Sequence, residues 1–169
     1  MIRSLPIILT IAALFVLSTS RESISEERRP ASRLAATGAA AAKPAALKVH
    51  RVVIQVTQND PALMNIALNN AENLSSYYQQ KGENLQVEFV AYGPGLHMLR
   101  SDTSPVRDRI KSFSEKNKQV TFSGCGNTLN AQSKQESKEL TLLPEAHIVP
   151  TGIARITELQ EQGWAYVRP

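Results

Sequence analysis

VHRVVIQVTQNDPALMNIALNNAENL, residues 49–74, decides the fold class. Its first nine residues are β-branched and mostly apolar, which predicts a strand buried on both faces. Asp60-Pro61 follows, a good helix N-cap and then a proline at the first helical position, where its missing N–H is harmless. Leu63, Ile66, Ala67, Asn70, Ala71, Leu74 and the pair Tyr77/Tyr78 then fall at helical spacing. Lys81-Gly82 supplies a stop, because glycine takes the left-handed conformation after a last helical turn.

Outward from that stretch the same alternation recurs. Residues 85–92 (LQVEFVAY) predict a second strand, ended by Gly93-Pro94-Gly95. Ser104-Pro105 opens a polar helix over 105–116, and residues 119–123 (QVTFS) form a third strand. Gly124-Cys125-Gly126-Asn127 leads straight into a helical stretch over 128–137. A short fourth strand covers 147–149, a helix starts at Thr151-Gly152 and runs to about 162, and 164–167 form the last strand. The order βαβαβαβαβ predicts an α/β fold: a three-layer α/β/α sandwich with a mostly parallel five-stranded sheet, in a domain of about 120 residues. In such a sheet every strand-to-helix loop opens on the carboxyl edge, where ligands usually sit. The loops collected there are 58–61, 93–97, 124–127 and 150–152.

The segment before this domain reads differently. Residues 1–4 carry one positive charge, residues 5–17 are an apolar run, and Ser18-Thr19-Ser20 offers small residues for a cut after Ser20. As a helix the run spans roughly 20 Å, short of the ~30 Å hydrocarbon core. This is the shape of a secretory signal peptide, with an uncleaved N-terminal anchor as the competing reading. The expected location is therefore periplasmic or secreted, or else the membrane surface, held by residues 5–17. Residues 21–47, rich in Ala, Arg, Glu, Ser and Pro, lack large apolar side chains and read as a disordered linker to a domain over 48–169.

Charge and composition narrow the function classes. Of 169 residues, 42% are hydrophobic and 20% charged, and one is cysteine. A single cysteine excludes an internal disulfide framework and a cysteine-rich zinc site. The net charge of +4 lies entirely in residues 1–48, while residues 49–169 balance their acids and bases. The domain thus has no electrostatic footprint for nucleic acid. His50, His97 and His147 fall on unrelated elements and compose no metal site, and no cofactor is implied. Gly93-Pro94-Gly95 lacks the Lys-Ser/Thr of a phosphate-binding loop and follows the second strand, which argues against a nucleotide. The basic run Arg107, Arg109, Lys111, Lys116, Lys118 is interleaved with Asp108 and Glu115 and reads as a solvated helix face.

Cys125 is the candidate for chemistry. It sits between two glycines, just after a strand and just before a helix, so the helix N-terminus favours its thiolate and lowers its pKa below about 8.5. The flanking glycines are expected to leave room for another molecule to approach the sulfur. The competing reading is a small buried apolar residue, since free cysteine is among the most buried types. His97, in a loop on the same edge, is the candidate base, against a plain surface histidine; His50 and His147 are expected at the opposite edge. Asn59, Gly95, Gly124, Gly126 and Asn127 are assigned to binding at the carboxyl edge.

VTFSGCGNTL (120–129) and HIVPTGIARITELQEQGWAYVRP (147–169), together with the opening 49–74 and VEFVAYGPGLHML (87–99), resemble the DsrE/DsrF-like (YchN-like) proteins of sulfur metabolism. The resemblance covers residues 48–169. It implies a compact α/β/α domain that assembles into trimers or hexamers, and a cysteine that carries sulfane sulfur as a persulfide between donor and acceptor proteins. Carried onto this chain, that cysteine is Cys125. Some relay members place the active cysteine in a different loop, and those members are cytoplasmic, whereas this chain carries an export-like leader. Two functions therefore compete: an exported persulfide carrier or sulfurtransferase acting through Cys125, and a non-enzymatic oligomeric module that binds a small ligand or partner, with Cys125 structural.

Overall fold

Strand β1 (Val49–Val56) begins residues 48–169, which are the residues described by the structure, a computed structural model. The signal or anchor read in 1–20 and the linker read in 21–47 lie outside them. The remaining elements are α1 (Pro61–Gln80), β2 (Asn84–Ala91), a 3-10 helix (Gly93–Met98), α2 (Arg107–Lys116), β3 (Val120–Cys125), α3 (Gly126–Glu136), β4 (Ala146–Val149), α4 (Gly152–Glu161) and β5 (Ala165–Val167). The Asp60 side chain accepts from the Ala62 N–H at 2.8 Å, with Pro61 opening α1. Beyond the end of α1, Gly82 stands at φ +67, the left-handed conformation expected there. The stretch read as a loop after β2 is a 3-10 helix. Pro94 fits its first turn, and too few residues precede Arg100 for an apolar period to show.

All four strand pairings are parallel, in the order β4-β3-β2-β1-β5. The fold is the α/β sandwich predicted from the alternation. From β1 to β4 the chain steps across the sheet in one direction; the last crossover reverses and returns to the far side of β1. Right-handed crossovers therefore put α4 on the face opposite the other helices.

The packing follows from this topology. Along β1 and β2, Val52, Ile54, Val56, Val87, Phe89 and Ala91 point to one face with Phe122 of β3. They meet Met64, Ala67, Leu68 and Ala71 of α1 and Ile110 and Phe113 of α2. Phe89 and Phe122 stack with centroids 4.8 Å apart. Leu129 of α3 packs with Leu96 and Leu140 in a smaller cluster. Here the buried Arg100 spans from Asp102 to Glu136 and Gln132, tying the segment after the 3-10 helix to α3. On the opposite face, Val53 and Val90 meet Ile156 and Leu159 of α4, flanked by Tyr92 and Trp164. No helix among the described residues is long and apolar enough to cross a membrane.

Candidate functional site

Cys125 ends β3 and caps α3 in an extended conformation, φ −71 and ψ 117. Its partner across the sheet is Val149, the last residue of β4, so the turn from β4 into α4 passes directly beside it. The starts of α3 and α4 are tied together there by the Asn127 N–H, which donates to the Pro150 carbonyl at 3.2 Å. Two helix N-termini thus converge on one sulfur.

Cys125 is only 4% exposed. Burial pushes its pKa up; the Thr128 hydroxyl, then the N–H groups of Gly152, Thr128 and Asn127, outweigh this and bring it below the ordinary value. The neutral sulfur closes no strict capping hydrogen bond to α3. The donors are in place for a charged sulfur and gain most when it ionises. Thr128 is itself oriented: its oxygen accepts from the Gly93 N–H at 3.1 Å, which leaves its own proton for the sulfur.

The accessibility expected from Gly124 and Gly126 is not found. A Cβ on Gly124 falls 2.5 Å from Leu142 Cδ1, and one on Gly126 falls 3.1 Å from Ile148 Cγ2. The space those glycines leave is filled by side chains from distant elements, so both serve close packing. The same holds for Gly95, where a Cβ falls 2.3 Å from the Val56 carbonyl oxygen, so the end of β1 packs directly against it.

Asn59, His97 and Asn127 do come together, in an open groove of about 570 Å³ whose walls also include Gly93, Thr128, Gln132 and Glu136. The His97 ring bonds the Thr103 hydroxyl through Nδ1 at 2.8 Å, and is not among the groups acting on the Cys125 sulfur. Cys125 does not line the groove; Asn127 and Thr128 are the residues that belong to both. Among the described residues no group of three or more His, Cys, Asp or Glu side chains is arranged to hold a metal ion.

A second polar construction lies behind the sulfur, on the α4 face. The buried Glu88 carboxylate accepts from Ser123 Oγ at 2.6 Å and from Arg155 Nε and a terminal guanidinium nitrogen, each at 2.7 Å. Burial pushes the Glu88 pKa up; the hydrogen bonds from Arg155 and Ser123 more than reverse this, and the carboxyl sits below its usual range. His147 Nε2 lies 2.9 Å from Ser123 Oγ. Because β4 has only four residues, His147 stands opposite Ser123 near the middle of the face, not at the opposite edge as expected. The sequence signals for this network are Glu88 inside the apolar run LQVEFVA, and Ser123 two residues before Cys125, both on buried strands. The basic residues of α2 are also less free than expected, since Arg109 bonds the side chains of Asn65 and Asn69 on α1.

Fold and site together define an all-parallel α/β/α domain with one buried cysteine at its carboxyl edge, held between two helix starts. The chain is similar to MTH1491 of Methanobacterium thermoautotrophicum, whose solved structure is that of a protein of unknown function. The TM-score is 0.61 at 30% identity, over 71% of this chain and 99% of that one, and this chain belongs to the same family as MTH1491. No protein-family model and no curated protein matches it.

Proposed function

We propose that the protein is an exported carrier of sulfane sulfur, a DsrE/DsrF-like protein acting through a persulfide on Cys125. The observation that carries this reading is the convergence of the α3 and α4 starts on the thiol, with the Thr128 hydroxyl turned toward it. A thiolate so held attacks the outer sulfur of a donor such as thiosulfate or a persulfide. The new bond joins that sulfur to Cys125, the donor's S–S bond breaks, and sulfite or the donor thiolate leaves with the electron pair. An acceptor thiolate then attacks the outer sulfur and releases Cys125 as thiolate, so the cycle needs no external oxidant. Because Cys125 is only 4% exposed, loading requires a local opening of the side chains packed around it, Leu142 and Ile148 among them.

The decisive experiment is intact-mass analysis after incubation with thiosulfate or polysulfide. One added sulfur on the wild type and none on Cys125→Ser supports the carrier; no added sulfur on the native wild type overturns it. Thr128→Val, which keeps the shape and removes the hydroxyl, is expected to slow loading. His97→Ala is expected to leave it nearly unchanged, since the ring is engaged with Thr103.

The second reading is a non-catalytic binding module, favoured by the burial of Cys125 and by a groove that the cysteine does not line. A small polar ligand would then be held by Asn59, Asn127 and Gln132, and Asn127→Ala would abolish binding while Cys125→Ser would not. Both readings include a homo-oligomer, trimer or hexamer, for which exposed Ile148, Ile153 and Tyr166 provide apolar surface.

A further inference from the structure

We propose that the Glu88 carboxylate is the bridge that sets the start of α4 against the Cys125 sulfur, making Glu88, Ser123 and Arg155 positioning residues for that thiol. This rests on reading Cys125 as a reactive sulfur.

Glu88 occupies the middle of β2 at 2% exposure, between Val87 and Phe89. A charge there is costly, and an apolar side chain of similar volume generally fills such a site as stably. What an apolar side chain cannot supply is direction. Both Glu88 oxygens are used, and the donors come from the two elements that meet at the sulfur. Ser123 lies on β3, two residues before Cys125 and on the same face. Arg155 lies on α4, three residues after Gly152, which opens that helix just past Val149, the residue paired with Cys125 across the sheet. One carboxylate therefore fixes the strand that carries the sulfur relative to the helix that stabilises its charge.

The neighbouring contacts fit this task. Gly152 is seated against Tyr92, so closely that a Cβ would fall 2.9 Å from the ring. Together with the Arg155 fork this pins the first turn of α4 at two points. Ser123 gives its proton to Glu88, so its oxygen accepts from His147 Nε2–H, which fixes the imidazole tautomer and backs the serine from β4. His147 and Glu158 are the further titratable groups beside the pair, Glu158 lying 3.8 Å from a terminal nitrogen of Arg155.

The test is titration of the thiol in the full chain by thiolate ultraviolet absorbance. Cys125 is the chain's one cysteine, so subtracting the curve of Cys125→Ser, which carries the same four tyrosines, leaves the signal of this thiol. Glu88→Gln and Glu88→Leu are expected to raise the Cys125 pKa by about half a unit, roughly a threefold loss of thiolate at a fixed pH below it. Glu88→Leu should do so at an unchanged melting temperature, which separates positioning from stability. Arg155→Lys, which keeps the charge and loses the fork, is expected to shift the pKa by a smaller amount in the same direction. A wild-type titration curve in a folded Glu88→Leu protein overturns the proposal. If the Glu88 variants do not fold, Ser123→Ala is titrated with the same two outcomes. The absorbance readout is independent of sulfur transfer. A wild type that takes up no sulfur, with a shifted Glu88→Leu titration, defeats the carrier alone; a loading wild type with an unshifted titration defeats the bridge alone.

Discussion

Under α1 and α2 the sheet meets its helices through Val52, Ile54, Phe89 and Phe122 against Met64, Leu68, Ile110 and Phe113, an unbroken apolar seam. Under α4 the apolar contact shrinks to Val53 and Val90 against Ile156 and Leu159, and the rest is polar: Glu88, Ser123 and Arg155. Apolar burial scales with area and has no preferred direction, whereas hydrogen bonds and ion pairs are sharply directional. The first face accordingly supplies most of the stability. The second supplies placement, and it is the face against which the candidate sulfur is held.

The largest effect expected from this contrast is on the first face. Phe89→Ala should cost about 3–5 kcal/mol in urea unfolding, since it empties a stacked, fully buried site. Val90→Ala, its neighbour on the α4 face, should cost only about 1.5–2 kcal/mol. An equal cost for the two would break the comparison.

Next comes an asymmetry within the polar seam. Arg155→Ala leaves the buried Glu88 without its counter-charge and should cost about 3 kcal/mol; Glu88→Leu leaves Arg155 able to reach water and should stay within about 1 kcal/mol of the wild type. Reversed values in denaturant titrations would mean that the pair acts mainly as glue.

A smaller effect belongs to the helix start. Gly152→Ala forces a methyl group against Tyr92 and should cost about 1–2 kcal/mol, read as a lowered melting temperature. It should also raise the thiol pKa by drawing the Gly152 N–H off the sulfur. A destabilised variant with an unmoved thiol titration would detach the helix start from the chemistry.

The smallest effects are in pH. The folded-state pKa of Glu88 is depressed, so its contribution is present above the unfolded carboxylate value and is lost as pH falls through the folded one. Asp102 and Glu136, lowered first of all by Arg100, respond in the same direction, so the acid limb of Glu88→Leu should be shallower but not flat. The Cys125 pKa is also depressed, so wild-type stability should gain slightly as pH rises from the folded thiol value toward the free one. Cys125→Ser should remove that gain.

The strands, the caps and the helix order were legible because each rests on a local pattern: alternation of strand and helix, Asp60-Pro61, and Gly82 after its helix. The site was legible only in outline. Cys125 at a strand-to-helix junction announces one helix N-terminus, but the second, at Gly152, follows from strand order and is not local. The room expected around the sulfur was wrong for the same reason: Leu142 and Ile148, which fill it, are far along the chain. His97 shares an edge with Cys125 yet turns to Thr103, because an edge is wide and hydrogen bonds are short. Glu88 and Ser123 were visible as polar interruptions in buried strands, but their partnership depends on β2–β3 register and on where α4 lies.

The position of β5 has a consequence for how the chain acquires its structure. Val52 takes Ala165 as its second neighbour, so β1, the first strand made, keeps one open hydrogen-bonding edge until nearly all of the domain has been synthesised. Closing so long a loop is entropically slow, and an unpaired strand recruits other chains meanwhile. A nascent chain halted before Ala165 would present β1 as an adhesive ribbon. C-terminal truncation should therefore show first as association between chains, before any change in the packing beneath α1.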